Sequence, residues 1–319
     1  MSAITAEQLE RTFKGGIKAV QGIDLDIPEG EIYGFLGPNG AGKTTTVRML
    51  VTLLKPTGGT AVVAGHDVAR DPGAVRAGIG VALQEAALDP LMTGNELMAL
   101  QATLQGMGGD GSRRRCRELI ERVGLTDAAD RRVGGYSGGM KRRLDLALAL
   151  VHGPSVLFLD EPTTGLDPSS RFALWQEVER LRDEGTTVFL TTQYLEEADQ
   201  LADRVGIICD GRIVAEGTPE SLKAEVGANH IEVALDDPSL RPKAEEALST
   251  LGRPAEATGR HDVSIVVGEA STGVADAVRL LDDAGISVAE VELVRPSLDD
   301  VFMEKTGRRL EGSEASAGR

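Results

Sequence analysis

Aromatic residues make up only 3% of this 319-residue chain, and cysteine occurs only twice, at Cys116 and Cys209. Small and aliphatic side chains must therefore fill most of the interior. The two cysteines lie far apart and in no metal-ligand spacing, which argues against a disulfide scaffold and favours free thiols in a reducing cytosol. The length exceeds what one hydrophobic core usually serves, so we expect one large domain and a smaller one.

Positive charge is also scarce, because 34 Lys and Arg against 50 Asp and Glu give a net charge of −16. A protein that binds a nucleic acid duplex needs a basic surface that releases counterions, so we expect no nucleic-acid partner. Apolar runs of about 18 residues, the length that spans a bilayer, are absent. Residues Met1–Glu7 lack a basic region followed by an apolar stretch, so we expect no signal peptide. Any role at a membrane would then need a partner.

The segment from Gly37 to Thr44 has the pattern G-x-x-x-x-G-K-T, which is typical of a phosphate-binding P-loop. Residues 31–36 indicate a buried strand before it, and residues 45–51 indicate a helix after it. Glycines let backbone N–H groups approach a phosphate, and the helix start adds the positive end of its dipole. We expect Lys43 to reach the β- and γ-phosphates and Thr44 to bind Mg²⁺. The alternative is a glycine-rich turn with a solvated lysine.

A second motif is an apolar strand that ends in an acid, at Val156–Asp160. This is the Walker B pattern, in which the acid lies beside the P-loop and holds Mg²⁺ through its water shell. Glu161 follows at once, and a second carboxylate there can polarise the water that attacks the γ-phosphate. The alternative is a solvated strand end followed by Pro162.

A further helix start is predicted at Ser137-Gly138-Gly139. Ser137 is a natural N-cap, and the two glycines expose backbone N–H groups that favour an anion. One chain that binds one triphosphate has no evident need for two anion-binding helix starts. The economical explanation is that this helix start serves a nucleotide bound to another copy. An ordinary capped helix is the alternative, and it would be favoured without the other motifs.

In this order and spacing, the motifs resemble those of the ATP-binding subunit of ABC transporters, over residues 1 to about 220. The resemblance implies an α/β P-loop ATPase domain, with ATP and Mg²⁺ as cofactors. It implies two partners: a second copy in an ATP-dependent head-to-tail dimer, and an integral membrane permease. It therefore also implies a peripheral position on the cytoplasmic face of the cell membrane.

The same resemblance assigns a role to each matching residue. ATP contacts are implied for Gly37, Pro38, Asn39, Gly40, Ala41, Gly42, Lys43, Thr44 and Thr45, and across the dimer for Ser137, Gly138, Gly139 and Asp167. Phe13 would stack on adenine with Val20 nearby, although Phe13 also fits the core of a strand. Gln84 would sense Mg²⁺ and the attacking water and link to the permease. Mg²⁺ would be held by Thr44, Gln84 and Asp160, and Glu161 would be the catalytic carboxylate.

Three positions depart from the usual pattern of that family. Tyr136 and Met140 replace the Leu and Gln that usually flank the Ser-Gly-Gly centre. Gln193 replaces the switch histidine after the strand at residues 187–192. Glutamine can donate a hydrogen bond to the γ-phosphate, but it cannot act as acid, base or cation. Water activation would then rest on Glu161.

The stretches at residues 191–199 and 296–302 resemble the daunorubicin/doxorubicin-resistance branch of ABC exporter ATPases. Members of that branch end in a small extra domain and work with a separate permease that exports drugs or natural products. In that family the permease carries the substrate site, so this chain is not expected to reveal which compound moves.

The organisation that we predict is an ATP-binding domain at 1–223, a small domain at 224–306 and a disordered tail at 307–319. Alternating strands and helices predict a parallel sheet covered on both faces. Residues 85–151 form a helical insertion with a capping box at Thr93 and Glu96. The small domain is predicted to be an α+β unit with the order βαβαβα.

The resulting hypothesis is the ATPase engine of an exporter for a drug or natural product, of the anthracycline-resistance type. One alternative is a soluble ABC-type ATPase that acts on ribosomes or DNA, and another is a regulatory nucleotide-binding module without turnover, suggested by Gln193. We expect the helical block near Gln84, including Leu88 and Leu91, to dock on a cytoplasmic helix of the permease. Packing inside the block explains these leucines equally well.

Overall fold

The computed structural model describes residues 1–83, 88–255, 261–267 and 273–308. It divides into two compact units, one of Met1–Pro219 with the described residues from Lys305 onward, and one of Glu220–Glu304. The predicted boundary between residues 223 and 224 lies within a helix, Pro219–Val226. Gln84 and most of the predicted disordered tail lie outside the described residues, so what was predicted for them stays a prediction.

The strands of the first unit form a mainly parallel sheet and an antiparallel sheet. The described strands are β1 (Ser2–Thr12), β2 (Lys18–Pro28), β3 (Ile32–Leu36), β4 (Gly58–Val63), β5 (His66–Asp67), β6 (Ile79–Ala82), β7 (Val156–Asp160), β8 (Thr187–Thr192), β9 (Arg204–Cys209) and β10 (Arg212–Gly217). The larger sheet has the order β10-β9-β3-β8-β7-β6 and is parallel except for the edge strand β10. Its central strands β3, β7 and β8 are buried along their whole length, as a parallel sheet requires.

The antiparallel sheet has the order β2-β1-β4-β5, and its apolar face joins the parallel sheet in one core. Four of the few aromatic side chains lie at the centre of this core: Tyr33, Phe35, Phe158 and Phe189. The Phe189 ring centroid lies 5.4 Å from that of Phe35 and 5.5 Å from that of Phe158. These rings lock β3, β7 and β8 together just below their carboxyl ends, which is where ligands bind in open α/β sheets.

Helices flank the sheets, and three of them form the insertion between β6 and β7. The described helices up to the second unit are α1 (Lys43–Leu50), α2 (Pro72–Gly78), α3 (Gly94–Leu104), α4 (Gly109–Arg122), α5 (Gly138–Ala149), α6 (Pro168–Asp183), α7 (Leu195–Leu201) and α8 (Pro219–Val226). The capping box predicted for α3 is confirmed, since Thr93 and Glu96 exchange backbone and side-chain hydrogen bonds. In the described part of the chain, every helix is too short or too polar to cross a membrane.

The second unit is an antiparallel sheet of order β12-β13-β11-β14 with helices packed on it. Its described elements are β11 (His230–Leu235), α9 (Arg241–Leu248), β12 (Gly252–Ala255), β13 (Val263–Val267), α10 (Val274–Asp283), β14 (Val288–Val294) and α11 (Leu298–Thr306). The edge strand β12 is missing from the predicted βαβαβα order. Its sequence Gly-Arg-Pro-Ala has no alternation of apolar residues, and proline fits an edge strand because its ring nitrogen needs no ladder partner.

Candidate active site

The P-loop connects β3 to α1, and two of its glycines are required by close packing. A Cβ atom on Gly37 would lie 2.4 Å from the carbonyl oxygen of Ile208 in β9. Gly42 has φ 113°, and its Cβ would lie 2.5 Å from the carbonyl oxygen of Ala19. Larger residues at either position would push the loop away from the strands that support it.

The turn between β9 and β10 braces the P-loop from outside. The Gly211 amide donates to the carbonyl of Ala41 at 2.9 Å, and the Gly211 carbonyl accepts from the Gln21 amide at 2.8 Å. The Gln21 side-chain amide also donates to the carbonyl of Asp210 at 2.7 Å. Asp210 and Gly211 both have positive φ, so the turn is tight. Sequence reasoning missed this brace, for which the Asp-Gly pair after a buried strand was the available signal.

Lys43 is buried at the start of α1, with 4% of its side chain exposed. Its Nζ donates to the carbonyl oxygen of Gly37 at 2.6 Å and lies 3.4 Å from Glu161 Oε1. Burial lowers the pKa of Lys43, and the neighbouring Glu161 and Asp160 carboxylates oppose that change. The P-loop lysine and the acid after β7, which are far apart in sequence, therefore form one buried cluster.

Asp160 ends β7 beside the start of α1. Its Oδ1 accepts hydrogen bonds from the hydroxyls of Thr44, at 3.4 Å, and Thr191. Its Oδ2 is buried and has no hydrogen-bond partner within the described residues. A buried carboxylate oxygen without a partner is costly, so this atom indicates a site for a ligand. Thr191 was not identified from the sequence, since a threonine in a buried strand carries no motif.

Glu161 lies in a strained turn directly after Asp160. Its φ is 48°, a left-handed conformation that is uncommon for a residue with a side chain. The turn is fixed from β8, because the Glu161 amide donates to both the carbonyl and the hydroxyl of Thr191. Strain of this kind persists only where surrounding contacts enforce it, and it is concentrated at functional sites.

The start of α5 is built as the sequence predicts for a capped helix. Ser137 is the N-cap, and its hydroxyl accepts from the Met140 amide at 3.2 Å. Ser137 and Gly138 are exposed, whereas Gly139 is buried, so solvent reaches the very start of the helix. Tyr136, in the place of the usual leucine, is buried, and its hydroxyl donates to the carbonyl of Ala128 at 2.6 Å. This departure therefore anchors the helix start to the insertion.

Asp167 is the N-cap of α6, and this helix start meets that of α5. The Asp167 carboxylate accepts from the hydroxyls of Ser169 and Ser170 and from the Ser170 amide. These hydrogen bonds hold the pKa of Asp167 well below its ordinary value. A Cβ on Gly139 would lie 2.6 Å from Ser170 Oγ, so the glycine permits the close approach.

The remaining predicted residues lie around this centre. Phe13 follows β1 in a turn and is 38% exposed, which contradicts the strand-core alternative. The Arg11 guanidinium carbon lies 4.9 Å from the centre of its ring. Val20 is buried in β2, with a methyl group 3.5 Å from where a Cβ on Gly42 would lie. Gln193 follows β8 directly and is partly exposed.

Comparison with known proteins identifies the family of this fold and site. The family described as ABC transporter matches residues 20–164, and the DrrA1-3-like C-terminal domain of ATP-binding proteins matches residues 217–306. The daunorubicin resistance ATP-binding protein DrrA2 of Streptomyces coeruleorubidus is 48% identical over 315 residues, covering 98% of both chains. The doxorubicin resistance ATP-binding protein DrrA of Mycobacterium tuberculosis is 42% identical, covering 95% of this chain and 93% of its own.

A solved structure agrees with these matches. It is a dimeric ATP-binding cassette in a post-hydrolysis state with ADP and phosphate, 27% identical to this chain. It superposes with a TM-score of 0.63 over 67% of this chain and 98% of its own. The chain belongs to the ABC transporter ATP-binding proteins. It is an ATPase, and its cofactors are ATP and Mg²⁺.

The oxygen atoms of this ABC ATPase fit a magnesium ion. Mg²⁺ prefers a few carboxylate or hydroxyl oxygens from the protein and completes its shell with water and phosphate oxygens. Asp160 Oδ2 is buried and has no hydrogen-bond partner within the described part. The Thr44 hydroxyl donates to the other oxygen of the same carboxylate, Oδ1. These two side chains would hold the ion between β7 and the start of α1.

Proposed function

We propose that this ABC ATPase powers the efflux of a drug or natural product, of the anthracycline type, through a separate membrane permease. The observation that carries the proposal is the near-full-length similarity to relatives named for daunorubicin and doxorubicin resistance. A common fold alone would not support a substrate class. Here the similarity also includes the small second unit. The chain would act at the cytoplasmic face of the membrane.

In this proposal the P-loop, from Gly37 to Thr45, holds the phosphates of ATP. Lys43 would move from the Gly37 carbonyl and Glu161 to the β- and γ-phosphates, since a phosphate offers the ammonium stronger charge-assisted hydrogen bonds. Thr44, Asp160 and Gln84 would bind Mg²⁺, which neutralises charge on the phosphates. Phe13 presents a partly exposed ring for adenine, beside Val20.

Glu161 is the proposed base for the attacking water. Its backbone amide is held by Thr191, so the turn that carries the carboxylate stays in place when Lys43 moves to phosphate. Gln193, at the end of the adjacent strand β8, would donate a hydrogen bond to the γ-phosphate. In this proposal Glu161 transfers the proton, and Gln193 only contributes a hydrogen bond.

The second nucleotide contact comes from another copy of the chain. ABC ATP-binding cassettes work as dimers with a membrane permease. The helix start at Ser137, Gly138 and Gly139, of which Ser137 and Gly138 are exposed, would bind the γ-phosphate held by the partner copy in a head-to-tail arrangement. Asp167, fixed at the adjacent helix start, would couple the two sites.

A groove of about 410 Å³ beside the helical insertion is the proposed docking site for the permease. It is lined by Leu53, Leu83, Leu88, Gln101 and Gln105, among others. Leu91 is 71% exposed close to it in sequence, which contradicts packing of this leucine inside the insertion. Exposed leucines around a groove suit an amphipathic cytoplasmic helix.

The docking proposal is tested by Leu88→Asp together with Leu91→Asp. The doubly substituted chain should no longer co-purify with the permease from membranes, while ATP binding is retained. Val278→Asp, at another partly exposed apolar position on α10, is the matched control. Intact co-purification of the double variant would contradict the docking site.

Efflux itself is tested in cells that express the chain together with its permease. We expect lower doxorubicin accumulation than in cells with the Glu161→Gln variant, because only the native chain can hydrolyse ATP. Equal accumulation in both would contradict drug efflux. Recovery of the chain with ribosomes, and not with a membrane protein, would support the soluble alternative.

A further inference from the structure

Arg142 is a buried arginine that none of the roles above uses. It lies on α5, just after the proposed phosphate contacts at Ser137–Gly139, and only 8% of it is exposed. A guanidinium is almost never buried unless its donors are satisfied. The contacts of this side chain therefore indicate why an arginine occupies this position.

Its three guanidinium nitrogens donate to three backbone carbonyls that come from two different strand ends. Nη2 donates to the carbonyl of Asp160 and Nε to that of Pro162, each at 2.9 Å. Nη1 donates to the carbonyl of Leu83 at 2.5 Å. Asp160 and Pro162 flank Glu161, and Leu83 directly precedes Gln84. One side chain on α5 thus holds the backbone on both sides of the proposed base and the residue before the predicted glutamine sensor.

Asp160 is the last residue of β7 paired with β8, while Leu83 and Pro162 lie beyond the ends of β6 and β7. A buried carbonyl without a partner is costly, and a charged donor makes the stronger hydrogen bonds. Glu161 between them has φ 48°. The strained turn is therefore held from two sides, by Thr191 of β8 and by Arg142 of α5.

The side-chain surroundings of Arg142 are acidic, which keeps the guanidinium in place. Asp145 Oδ2 lies 3.4 Å from Nη1. Burial lowers the pKa of Arg142, and the carboxylates of Asp145, Asp160, Glu197 and Glu161 oppose this. Burial also raises the pKa of Asp145 to about 6, with Arg142 acting against that rise.

We propose that Arg142 is a positioning residue for ATP hydrolysis, which ties the turn carrying Asp160 and Glu161 to the helix that binds the partner's nucleotide. The proposal rests on the proposed role of Glu161. A movement of α5 when it meets a phosphate is transmitted by the guanidinium to the carbonyls around the base. Hydrolysis thereby depends on engagement of the second copy.

The test compares Arg142→Met with Arg143→Met in the full chain. Arg143 is the next residue, and its Nη1 likewise donates to backbone carbonyls, of Val123 at 2.8 Å and Gly124 at 3.3 Å, but within the insertion. The two variants lose similar hydrogen bonds, and only the first loses contacts to the catalytic turn. Steady-state ATPase kinetics, nucleotide affinity and thermal melting are measured for both.

We expect kcat of Arg142→Met to fall about 10- to 100-fold with little change in KM, because a small displacement of a catalytic group is costly. Arg142→Lys should recover part of the rate, since lysine keeps the charge but not the planar fork of donors. Arg143→Met should keep kcat within about twofold, whatever its melting temperature. If Arg142→Met does not fold, Arg142→Gln, which keeps an amide donor, takes its place.

A native kcat for Arg142→Met, or an equal loss for Arg143→Met, would overturn the proposal. Glu161→Gln is assayed in parallel to separate this result from failure of the underlying function. Loss of hydrolysis in Glu161→Gln with a native rate in Arg142→Met overturns only the role of Arg142. A native rate in Glu161→Gln overturns the base assignment, and the positioning role with it.

Discussion

The helix starts of α1 and α5 both offer free amides to a phosphate, but their surroundings differ. At α1, Lys43, Asp160 and Glu161 are buried together, so one chain would supply the proposed cation, metal ligand and base. At α5, Ser137 and Gly138 are exposed, and the first turn has no acidic residue. The guanidinium of the nearby Arg142 donates its hydrogen bonds to the backbone carbonyls of Pro162 and Asp160. In the proposed function the first is therefore a catalytic half-site, and the second completes the site of another copy.

The largest effect is expected from removing the base at the α1 half-site, by Glu161→Gln. We expect kcat for ATP hydrolysis to fall about 10²- to 10⁴-fold, the usual contribution of a general base. ATP affinity should change little, because the amide preserves the shape of the side chain. Single-turnover hydrolysis and nucleotide titration measure the two separately. Glu184→Gln, at an exposed position on the surface, is the control, and parallel loss of binding in Glu161→Gln would contradict a purely catalytic role.

The next effect concerns binding at the same half-site, through Lys43→Ala. Loss of a charge-assisted hydrogen bond to phosphate should weaken ATP binding about 100-fold. Titration with a fluorescent nucleotide measures this. Lys55→Ala, at the turn after α1, is the matched control. Unchanged affinity in Lys43→Ala would exclude the phosphate contact.

At the α5 side, Asp145→Asn should change the pH dependence of stability. Burial raises the pKa of Asp145 from its ordinary 3.8 to about 6, so the folded chain holds a proton between these pH values that the unfolded chain releases. Below about pH 4 the carboxyl group is neutral in both states, so its ionisation does not affect stability. As pH rises to about 6, the free energy of unfolding of the native chain falls progressively, because the unfolded chain ionises more easily. A shift of about two units corresponds to roughly 3 kcal/mol.

Urea denaturation at pH 4.5 and pH 7.5 checks this expectation. The free energy of unfolding of Asp145→Asn, measured relative to the native chain, should be larger at pH 7.5 than at pH 4.5. Asp127→Asn, whose carboxyl lies in an exposed turn, controls for general changes in charge. An Asn variant whose relative stability does not depend on pH would show that Asp145 titrates normally.

The smallest effect is expected for Gln193→Ala. Loss of one neutral hydrogen bond of about 0.5–1.5 kcal/mol predicts a kcat reduction of about 2- to 10-fold. ATPase kinetics measure it, with Gln200→Ala as a control on α7. Complete loss of turnover in Gln193→Ala would mean that Gln193 is essential for hydrolysis and that Glu161 does not activate the water alone. Retained turnover would exclude a pure binding module.

The sequence predicted the α1 half-site because its chemistry requires particular residues at fixed spacings. Lys43, Thr44, Asp160 and Glu161 could be named in advance, and the structure brings them together. The role of Arg142 could not be predicted, because its acceptors are backbone carbonyls that leave no trace in residue identity. The brace of Ala41 by Gly211 was missed for another reason, because its signal, the Asp-Gly pair after β9, indicates a tight turn but not what the turn contacts. The edge strand β12 was missed because it has few apolar residues to alternate.

Gly138 offers the most direct test of the claim that α5 serves another copy. A Cβ there would contact nothing within 4 Å, and its φ is not positive, so Gly138→Asp should fold normally. Aspartate even suits the first turn of a helix, but it repels a phosphate at that position. Gly138→Asn is the uncharged control of the same size.

The deciding measurement is light scattering of Glu161→Gln in the presence of ATP and Mg²⁺, with and without Gly138→Asp. We predict that Glu161→Gln is a dimer of 33.6 kDa chains. The double variant should bind ATP with the same affinity and remain monomeric, while the Gly138→Asn control keeps dimerisation. A double variant that dimerises as fully as Glu161→Gln would contradict the account, because the start of α5 would then have no part in the nucleotide site of a second copy.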